Sequence, residues 1–238
     1  MVDLHTHILP GMDDGAQTPE DSLALLQEEK RQGVHRLALT PHFYRHRESL
    51  SDFLTRREAA AQKLKAAIAA LPEAEQEQLP EWKLAAEVAW MPGLSGCSGL
   101  EQLCYAGTRS ILIEPPMAPW DRRMFDELYD FMSHTGLTPV IAHIDRYWQC
   151  QSKDAISELL SLGLPVQLSS EALLHFSHRR RALEYLKQGY AQLLMSDCHS
   201  LHRRPPNLAE GMRVAEKKLG AELLSALRQQ CSDIYDGV

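Results

Sequence analysis

The sequence lacks a long apolar run, a paired-cysteine motif and an excess of basic residues. No stretch approaches eighteen uncharged apolar residues, and the first residues show no basic segment followed by an apolar one. Neither a transmembrane helix nor a secretory signal is therefore expected. The five cysteines are odd in number and include no C-x-x-C pair, which argues against a disulfide framework and against a zinc ribbon. These absences predict a cytoplasmic, reduced protein that is not embedded in a membrane.

The charge balance also excludes a broad class of partners. The net charge is −7 over 238 residues, so the chain has no global basic field that would bind nucleic acid. The basic run 179–181 is only local, and an interpretation as a nuclease is correspondingly weak. No internal repeat, low-complexity tract or linker divides the chain, which predicts a single domain over residues 1–238. The sequence does not indicate an oligomeric state.

Short apolar segments alternate with longer helical ones along the chain. Thr18 and Pro19 have the pattern of a helix N-cap and first residue, and Gly136, Gly163 and Gly189 each end a helical segment before the next strand. This β-α alternation predicts a parallel sheet covered by helices, and its seven units predict a closed or nearly closed barrel. The predicted strands are "VDLHTH", "RLALTPH", "WKLAAEV", "SILIE", "PVIAH", "PVQLS" and "AQLLMSD".

The first strand leads into "DLHTHILPGMDDG", which has two interpretations. His5 and His7 are two residues apart and therefore share one face of an extended strand, as two metal ligands would. They also fit ordinary polar positions on a half-buried strand, with Asp13–Gly15 as a surface turn. The H-x-H pair alone does not decide between these interpretations.

The ends of the other strands favour the metal. Barrel enzymes build their sites at the C-terminal ends of their strands, and six of the seven predicted strand ends carry a histidine or an acid. Imidazole and carboxylate without thiolate suit manganese, iron or zinc in a multinuclear cluster, and nine such side chains are enough for about three divalent ions. The candidate ligands are His5, His7, Asp14, His42, Glu87, Glu114, His143, Asp197 and His199.

Six stretches closely resemble the PHP (polymerase and histidinol phosphatase) family, and within it the bacterial tyrosine phosphatases of capsule and exopolysaccharide operons. They are "DLHTHILPGMDDG", "LTPH", "AAEV", "LIEPP", "VIAHIDRY" and "SDCHSLHRRPP". The resemblance runs from Met1 to about Gly220 and is weakest over residues 43–80 and 88–108. It implies an α/β fold of the distorted (β/α)7, TIM-like barrel type, with the metal site at the C-terminal ends of the strands.

The resemblance also implies how the ligands are shared. It assigns one metal to His5, His7, Glu87 and Asp197, a second to Glu87, Glu114 and His143, and a third to Asp14, His42 and His199, with Glu87 as the bridge. Manganese is the implied metal, and iron and zinc are alternatives.

Arg146 in "HIDRY" and Arg204 in "RRPP" match positions that resemble phosphate-binding arginines. Both follow ligand-bearing strand ends, and a guanidinium can bind two phosphate oxygens at once. The other interpretation of either arginine is a surface ion pair. Together with Glu87 and Asp197, these arginines are the candidate catalytic residues.

The implied reaction is hydrolysis of phosphotyrosine in proteins, with a metal-bridging hydroxide as the nucleophile. The implied partner is a bacterial tyrosine kinase whose tyrosine-rich tail controls polysaccharide export. Two alternatives stay open: a phosphatase of a small phosphomonoester such as histidinol phosphate, and a metal-dependent regulatory subunit without turnover.

The stretch "CHSLHRR" has the C-x5-R spacing of the thiol-based tyrosine phosphatases, from Cys198 to Arg204. Those enzymes need a loop of convergent backbone amides around a cysteine thiolate. Here the loop has no glycine, and Pro205 and Pro206 supply no N–H group. We therefore expect Cys198 to lie on the packed face of its strand and to take no part in the chemistry.

Overall fold

The computed structural model describes residues 1–238 as an α/β fold in which every paired strand runs parallel to its neighbour. This confirms the predicted α/β class with parallel strands, because parallel strands joined by helices are what the alternating pattern requires, while closure into a barrel stays a prediction. The strands are β1 (Val2–Thr6), β2 (Arg36–Leu39), β3 (His42–Phe43), β4 (Glu81–Leu84), β5 (Glu87–Ala89), β6 (Ser110–Glu114), β7 (Thr138–Ile141), β8 (Gln167–Ser169) and β9 (Leu193–Met195).

Nine α-helices connect and cover these strands, and short 3-10 turns lie at Leu94–Gly96, Leu100–Leu103 and Ile144–Tyr147. None of the helices combines the length and the hydropathy that a bilayer-spanning segment requires. The helices are α1 (Pro19–Arg31), α2 (Leu50–Ala69), α3 (Glu73–Gln76), α4 (Arg122–Thr135), α5 (Lys153–Ser161), α6 (Ser170–Leu174), α7 (Phe176–Lys187), α8 (Leu208–Leu219) and α9 (Ala221–Asp236).

The helix ends follow the local chemistry that the sequence predicts. Thr18 caps α1 in a capping box with Asp21, and Pro19 is the first helical residue. Gly136 ends α4 in the left-handed conformation, which costs a glycine little because it has no Cβ atom. The short α6, which directly follows β8, was not predicted, because five residues are too few to show a helical period.

Each predicted strand is present, but two of them are interrupted. "RLALTPH" divides into β2 and β3, and "WKLAAEV" divides into β4 and β5. The first interruption has a clear cause: the Thr40 hydroxyl donates to the Thr6 carbonyl and accepts from the Thr6 N–H, and Pro41 has no N–H to donate. A side chain therefore replaces part of the backbone ladder just before the ligand candidate His42.

The strands form three sheets, with the orders β1-β2-β4, β3-β5-β6-β7 and β8-β9. Two single bridges join these sheets, one between Thr6 and Cys198 and one between Ile141 and Val166. The first bridge places the end of β1 beside the segment that follows β9, where the His7 N–H donates to the Cys198 carbonyl over 2.9 Å. The C-terminal ends of β1 and β9 therefore meet.

The apolar core has two parts. A large cluster lies between the strands and the surrounding helices, and it includes the buried face of α4 (Phe125, Leu128 and Phe131). A smaller cluster contains strand residues such as Leu4, Leu112 and Val140, together with Cys231, Ile234 and Tyr235 of α9. Helix α9 is thus packed against the strands, while the other end of the strands is left to polar groups.

Candidate metal centre

His5 and His7 face each other with their Nε2 atoms 3.1 Å apart. The His5 Nδ1–H donates to Gln167 Oε1 over 2.8 Å, and that same oxygen accepts the His143 N–H, which identifies it as the amide oxygen. The His7 Nδ1–H donates to the Asp13 carboxylate, also over 2.8 Å. Since both Nδ1 atoms carry protons, neutral imidazoles would direct two bare lone pairs at each other. A cation between them removes that repulsion.

Two carboxylates point at the same place. Glu87 Oε2 lies 3.2 Å from His5 Nε2 and 3.3 Å from His7 Nε2, and Asp197 Oδ1 lies 3.4 Å from both nitrogen atoms. All four side chains are buried. Two nitrogen atoms and two oxygen atoms that converge in a buried space form a set of the kind that divalent transition metals bind.

Glu87 is the hub of the centre because it also contacts two further histidines. Its Oε1 atom lies 2.8 Å from His143 Nε2, and its Oε2 atom lies 2.9 Å from His42 Nδ1. Glu114 is next to the same histidines, 3.7 Å from His143 Nε2 and 4.0 Å from His42 Nδ1. A carboxylate with both oxygen atoms engaged by different ligand groups has the geometry of a bridge.

Asp14 completes the third group with His42 and His199. Its Oδ1 atom lies 3.4 Å from His199 Nε2 and 3.7 Å from His42 Nε2. Asp14 is the most exposed of the nine candidates. The structure therefore brings all nine sequence candidates into one network, with Asp14 at its solvent-facing side.

The network leaves polar atoms without partners. Asp197 Oδ1, His42 Nδ1 and His143 Nδ1 are buried and form no hydrogen bond. An unpaired buried polar atom is costly, and native structures usually satisfy it. The residues form three overlapping groups, and within each group the potential ligand atoms lie within 4.8 Å of one another. The groups are His5-His7-Glu87, His7-His42-His199 and His42-Glu87-Glu114. The residues present therefore fit a metal cluster.

The charges of the centre also favour a bound divalent ion. Burial raises the pKa of Glu87, but the charges of His5 and His42 outweigh it and hold that pKa well below its ordinary value. Burial lowers the pKa of His5, but the Glu87 and Asp197 carboxylates outweigh it and raise that pKa. The carboxylates thus draw positive charge to the imidazoles, and a divalent ion can replace the protons that would otherwise supply it.

Arg146 and Arg204 lie at the rim of this network. Both guanidinium groups donate to Asp197 Oδ2, and Arg204 Nη1 also donates to His199 Nε2 over 2.9 Å. The side chain of Arg146 is 31% exposed and that of Arg204 is 25% exposed, so each can still contact a ligand that enters from solvent. The two arginines therefore lie between Asp197 and the open side of the centre.

Backbone strain is confined to the same place. His143, Asp197 and Arg204 are the three residues other than glycine that have a positive φ, at 28°, 55° and 60°. A side chain in this conformation costs of order 1–3 kcal/mol and persists where the surrounding structure requires it. All three are site candidates, so the strained backbone positions of the chain lie at the candidate centre.

Sequence reasoning missed three residues that orient the ligands. Asp13 holds the Nδ1–H group of His7, and Gln167 holds that of His5. Gly15 lies so close to His7 that a Cβ atom would come within 2.0 Å of the His7 carbonyl oxygen. The "DDG" motif therefore carries a positioning aspartate and a required glycine as well as the ligand candidate Asp14. The two adjacent aspartates followed by a glycine were the available signal.

Cys198 faces away from the centre, as expected. Its thiol is buried, lies 3.4 Å from Glu29 Oε1, and has a pKa raised well above the ordinary value by burial and then by the charge of Glu29. A protonated, enclosed thiol is a poor nucleophile. The C-x5-R spacing is therefore coincidental, although its arginine belongs to the site.

We expect Cys198→Ser to retain most of the phosphatase activity that the family resemblance implies, within about threefold, because serine keeps the approximate size and the hydrogen bond to Glu29. Hydrolysis of a phosphotyrosyl peptide by the metal-loaded protein, before and after thiol alkylation, measures this. Loss of activity with an unchanged metal content, or a trapped phosphocysteine, would contradict it.

Glu29 forms a second acidic group behind β1. Its carboxyl is fully buried beside Asp3 and accepts hydrogen bonds from Ser196 and Cys198, with no cation in contact. Burial, and then the charge of Asp3, raise the pKa of Glu29 well above its ordinary value. Above about pH 4.3 the unfolded chain releases this proton while the folded protein retains it, so folding stability falls as the pH rises.

We expect Glu29→Gln to be more stable than the parent at pH 8, by about 1–3 kcal/mol, because folding of the parent must reprotonate the carboxyl or bury its charge, whereas the amide needs neither. The difference should shrink as the pH is lowered toward about 4.3, where the parent carboxyl is protonated in both states. Urea unfolding across this pH range measures it. Equal stabilities at pH 8 would show that the carboxyl is not destabilising.

The family model "Capsular polysaccharide synthesis, CpsB/CapC" matches residues 1–233. The tyrosine-protein phosphatase CpsB of Streptococcus agalactiae serotype III (strain NEM316) is 28% identical over 240 residues, covering 95% of this chain and 94% of the relative. The tyrosine-protein phosphatase YwqE of Bacillus subtilis (strain 168) is 29% identical over 231 residues, covering 94% and 87%.

A solved structure agrees with these sequence relationships. A chain from the crystal structures of YwqE from Bacillus subtilis and CpsB from Streptococcus pneumoniae matches with a TM-score of 0.85 and 25% identity. The match covers 100% of this chain and 96% of the other, and those proteins are described as metal-dependent tyrosine phosphatases. The likeness therefore extends over the strands and the loops that carry the candidate metal centre.

Proposed function

The chain belongs to the CpsB/CapC family of capsular polysaccharide synthesis proteins, and from that membership we propose that it is a metal-dependent protein-tyrosine phosphatase. The observation that carries the proposal is the convergence of His5 Nε2 and His7 Nε2 with carboxylate oxygens of Glu87 and Asp197. Both imidazoles are held with Nε2 toward that point, which supports a cation there.

We propose that the nine ligands hold about three divalent ions, with manganese as the first candidate and iron and zinc as alternatives. His5, His7, Glu87 and Asp197 would hold the first, Glu87, Glu114 and His143 the second, and Asp14, His42 and His199 the third. Such ions would lower the pKa of water and neutralise phosphate charge. The donor set, of imidazole and carboxylate without thiolate, supports this assignment.

The arginines supply the substrate contacts. Arg146 and Arg204 would turn from Asp197 Oδ2, and Arg204 also from His199 Nε2, to the phosphate oxygens, which a guanidinium can bind in a bidentate manner. Tyrosine has a pKa of about 10, so the departing phenolate needs less help from a general acid than an alkoxide would. The chain's own residues therefore have to bind and orient the phosphate more than they have to protonate the leaving group.

We propose that the strands form one distorted (β/α)7 barrel and that residues 1–238 are one domain. Seven strands remain if β2 and β3, and likewise β4 and β5, are each counted as one interrupted strand. The bridges from Thr6 to Cys198 and from Ile141 to Val166 support closure, because they link the three sheets in sequence. The site then lies at the C-terminal ends of the strands, as in other α/β barrels.

A polypeptide substrate fits the rim better than a small phosphomonoester does. Met117 is exposed and lines the pocket that adjoins Arg146 and Asp197. An exposed apolar side chain beside the phosphate-binding arginines supports contact with a polypeptide. We propose a bacterial tyrosine kinase tail as the partner, and a cytoplasmic location, which the five free cysteines support.

Hydrolysis by metal-free and reloaded protein tests the proposal. We expect EDTA to abolish phosphate release from a phosphotyrosyl peptide, and manganese, iron or zinc to restore it in parallel with bound metal. Histidinol phosphate and a phosphoseryl peptide are the comparison substrates, and both should have a lower kcat/KM. Turnover that resists EDTA would overturn the metal mechanism, and a higher kcat/KM on histidinol phosphate would favour the small-molecule alternative.

A further inference from the structure

A pocket of about 450 Å³ opens directly beside the metal centre. It lies between the loop after β1 and the segment after β3, so the ligand candidates Asp14 and His42 form part of its wall. The other residues that matter here are Asp13, Tyr44, Arg47, Glu48 and Arg56. A chain that leaves the centre on this side must pass these residues.

Nearly every charge in this pocket already has a partner. Glu48 binds Arg56 through two hydrogen bonds, of 2.7 and 3.0 Å. Asp13 is bound to the His7 ring and to the backbone N–H groups of Gly15 and His42. Asp14 belongs to the proposed metal set. These groups leave the pocket without an uncompensated negative charge.

Arg47 is the exception. No carboxylate lies within ion-pair distance of its guanidinium, which instead covers the ring of Tyr44, 4.3 Å from the ring centroid. The Tyr44 ring contacts the His42 ring, with 5.2 Å between centroids. Stacking thus holds an exposed arginine at a defined place relative to the centre while its N–H edge stays free.

The pocket on the other side of the centre differs. It adjoins Arg146 and Asp197, and its rim charges pair with each other, since His175 Nε2 lies 3.0 Å from Glu171 Oε1. No unpaired arginine or lysine lines that pocket. Of the two pockets beside the centre, only the one at Arg47 therefore has a free guanidinium in its lining, where an anionic group of the substrate could bind.

We propose that Arg47 determines substrate specificity by binding an acidic side chain, Asp or Glu, that flanks the phosphotyrosine in the polypeptide. This inference rests on the proposed phosphatase function and deepens it. The phosphate is bound at Arg146 and Arg204, and the adjoining chain lies across the centre toward Tyr44. A carboxylate there meets the planar edge of Arg47, whereas a substrate as small as histidinol phosphate has no group to place in this pocket.

The test uses the metal-loaded protein and matched phosphotyrosyl peptides with Gln or Glu at one position from −3 to +3. We expect Glu to raise kcat/KM at one or two positions by up to about fivefold, mainly through a lower KM, because an exposed ion pair contributes 0.2–1 kcal/mol. Arg47→Gln should remove this preference, and Arg47→Glu should reverse it toward a peptide with Lys at that position.

Arg45→Gln is the matched control. It removes the same charge two residues away, but the Arg45 guanidinium faces the Gly93 carbonyl, at 3.4 Å, in a separate cleft. The control should keep the Glu preference, and 0.5 M salt should weaken that preference in the parent protein.

The outcomes separate this inference from the proposed function. If the parent protein hydrolyses every peptide without a Glu preference, or if the preference survives in Arg47→Gln, the role of Arg47 is wrong while the phosphatase function stands. A peptide with a second phosphotyrosine in place of Glu at the preferred position tests whether Arg47 binds a phosphate group rather than a carboxylate. A gain from that phosphate alone, with none from Glu, would overturn the carboxylate assignment.

Discussion

Glu87→Ala should lower kcat/KM on a phosphotyrosyl peptide by at least about 10³-fold, because losing a shared metal ligand removes several kcal/mol of transition-state stabilisation. Glu87 contacts His5 and His7 through one oxygen atom and His143 through the other, so no other side chain can take its place. Bound metal per chain, measured by elemental analysis, should fall in the same variant. We expect no single arginine substitution to have an effect of this size.

The control for Glu87 is another buried glutamate. Glu87→Gln and Glu29→Gln replace one carboxyl by one amide at equally buried positions, on opposite sides of β1. Only the first should lose metal and activity, and only the second should gain stability at pH 8. If Glu87→Ala binds as much metal as the parent protein, the bridging role of Glu87 is wrong.

The strands and their ends could be predicted because both signals are local. Short apolar runs that end in His, Glu or Asp are visible in the printed sequence, and each predicted strand is present in the structure. In a parallel sheet the C-terminal ends of the strands lie at one edge. Nine polar residues scattered over almost 200 positions thereby become neighbours, without any knowledge of loop conformation.

The directions of individual side chains could not be predicted in this way. Strict alternation would place Asp3 and His5 on one face of β1, yet Asp3 faces Glu29 and Ser196 while His5 faces the centre. The pairing register shifts between Asp3 and Thr6, and this irregularity separates the two. At this irregularity the His5 N–H donates to Asp3 Oδ1 over 3.1 Å, and the alternation pattern of the five-residue strand carries no sign of the shift.

The side-chain directions of Asp197 and His199 agree with the prediction, but their physical cause differs from the one that the prediction assumed. Alternation along a strand predicts that both point to the metals and that Cys198 points away. The structure gives these directions, but β9 ends at Met195, and Asp197 has a left-handed backbone. The left-handed backbone at Asp197 lies directly before the bridge from Thr6 to Cys198, and a single sequence does not reveal such strain.

Arg146→Gln and Arg204→Gln should each raise KM for a phosphotyrosyl peptide by about 10- to 100-fold, because hydrogen bonds to a charged group contribute about 1.5–3 kcal/mol. Inhibition by inorganic phosphate should weaken in the same proportion, since the phosphate oxygens are what the two guanidinium groups recognise. Metal content should stay at the level of the parent protein. Both arginines meet at Asp197 Oδ2, so we expect the effects of the two substitutions to be non-additive in the double variant.

Arg203→Gln is the matched control for this pair, because Arg203 precedes Arg204, is exposed, and forms hydrogen bonds to Ser200 only through its backbone. It should leave KM and phosphate inhibition unchanged. A loss of bound metal in Arg146→Gln or Arg204→Gln would contradict the phosphate assignment, since it would mean that the arginines mainly hold Asp197 in place. An unchanged KM with intact metal would mean that both arginines form only ion pairs, which is the alternative interpretation of the sequence. The metals alone would then bind the phosphate.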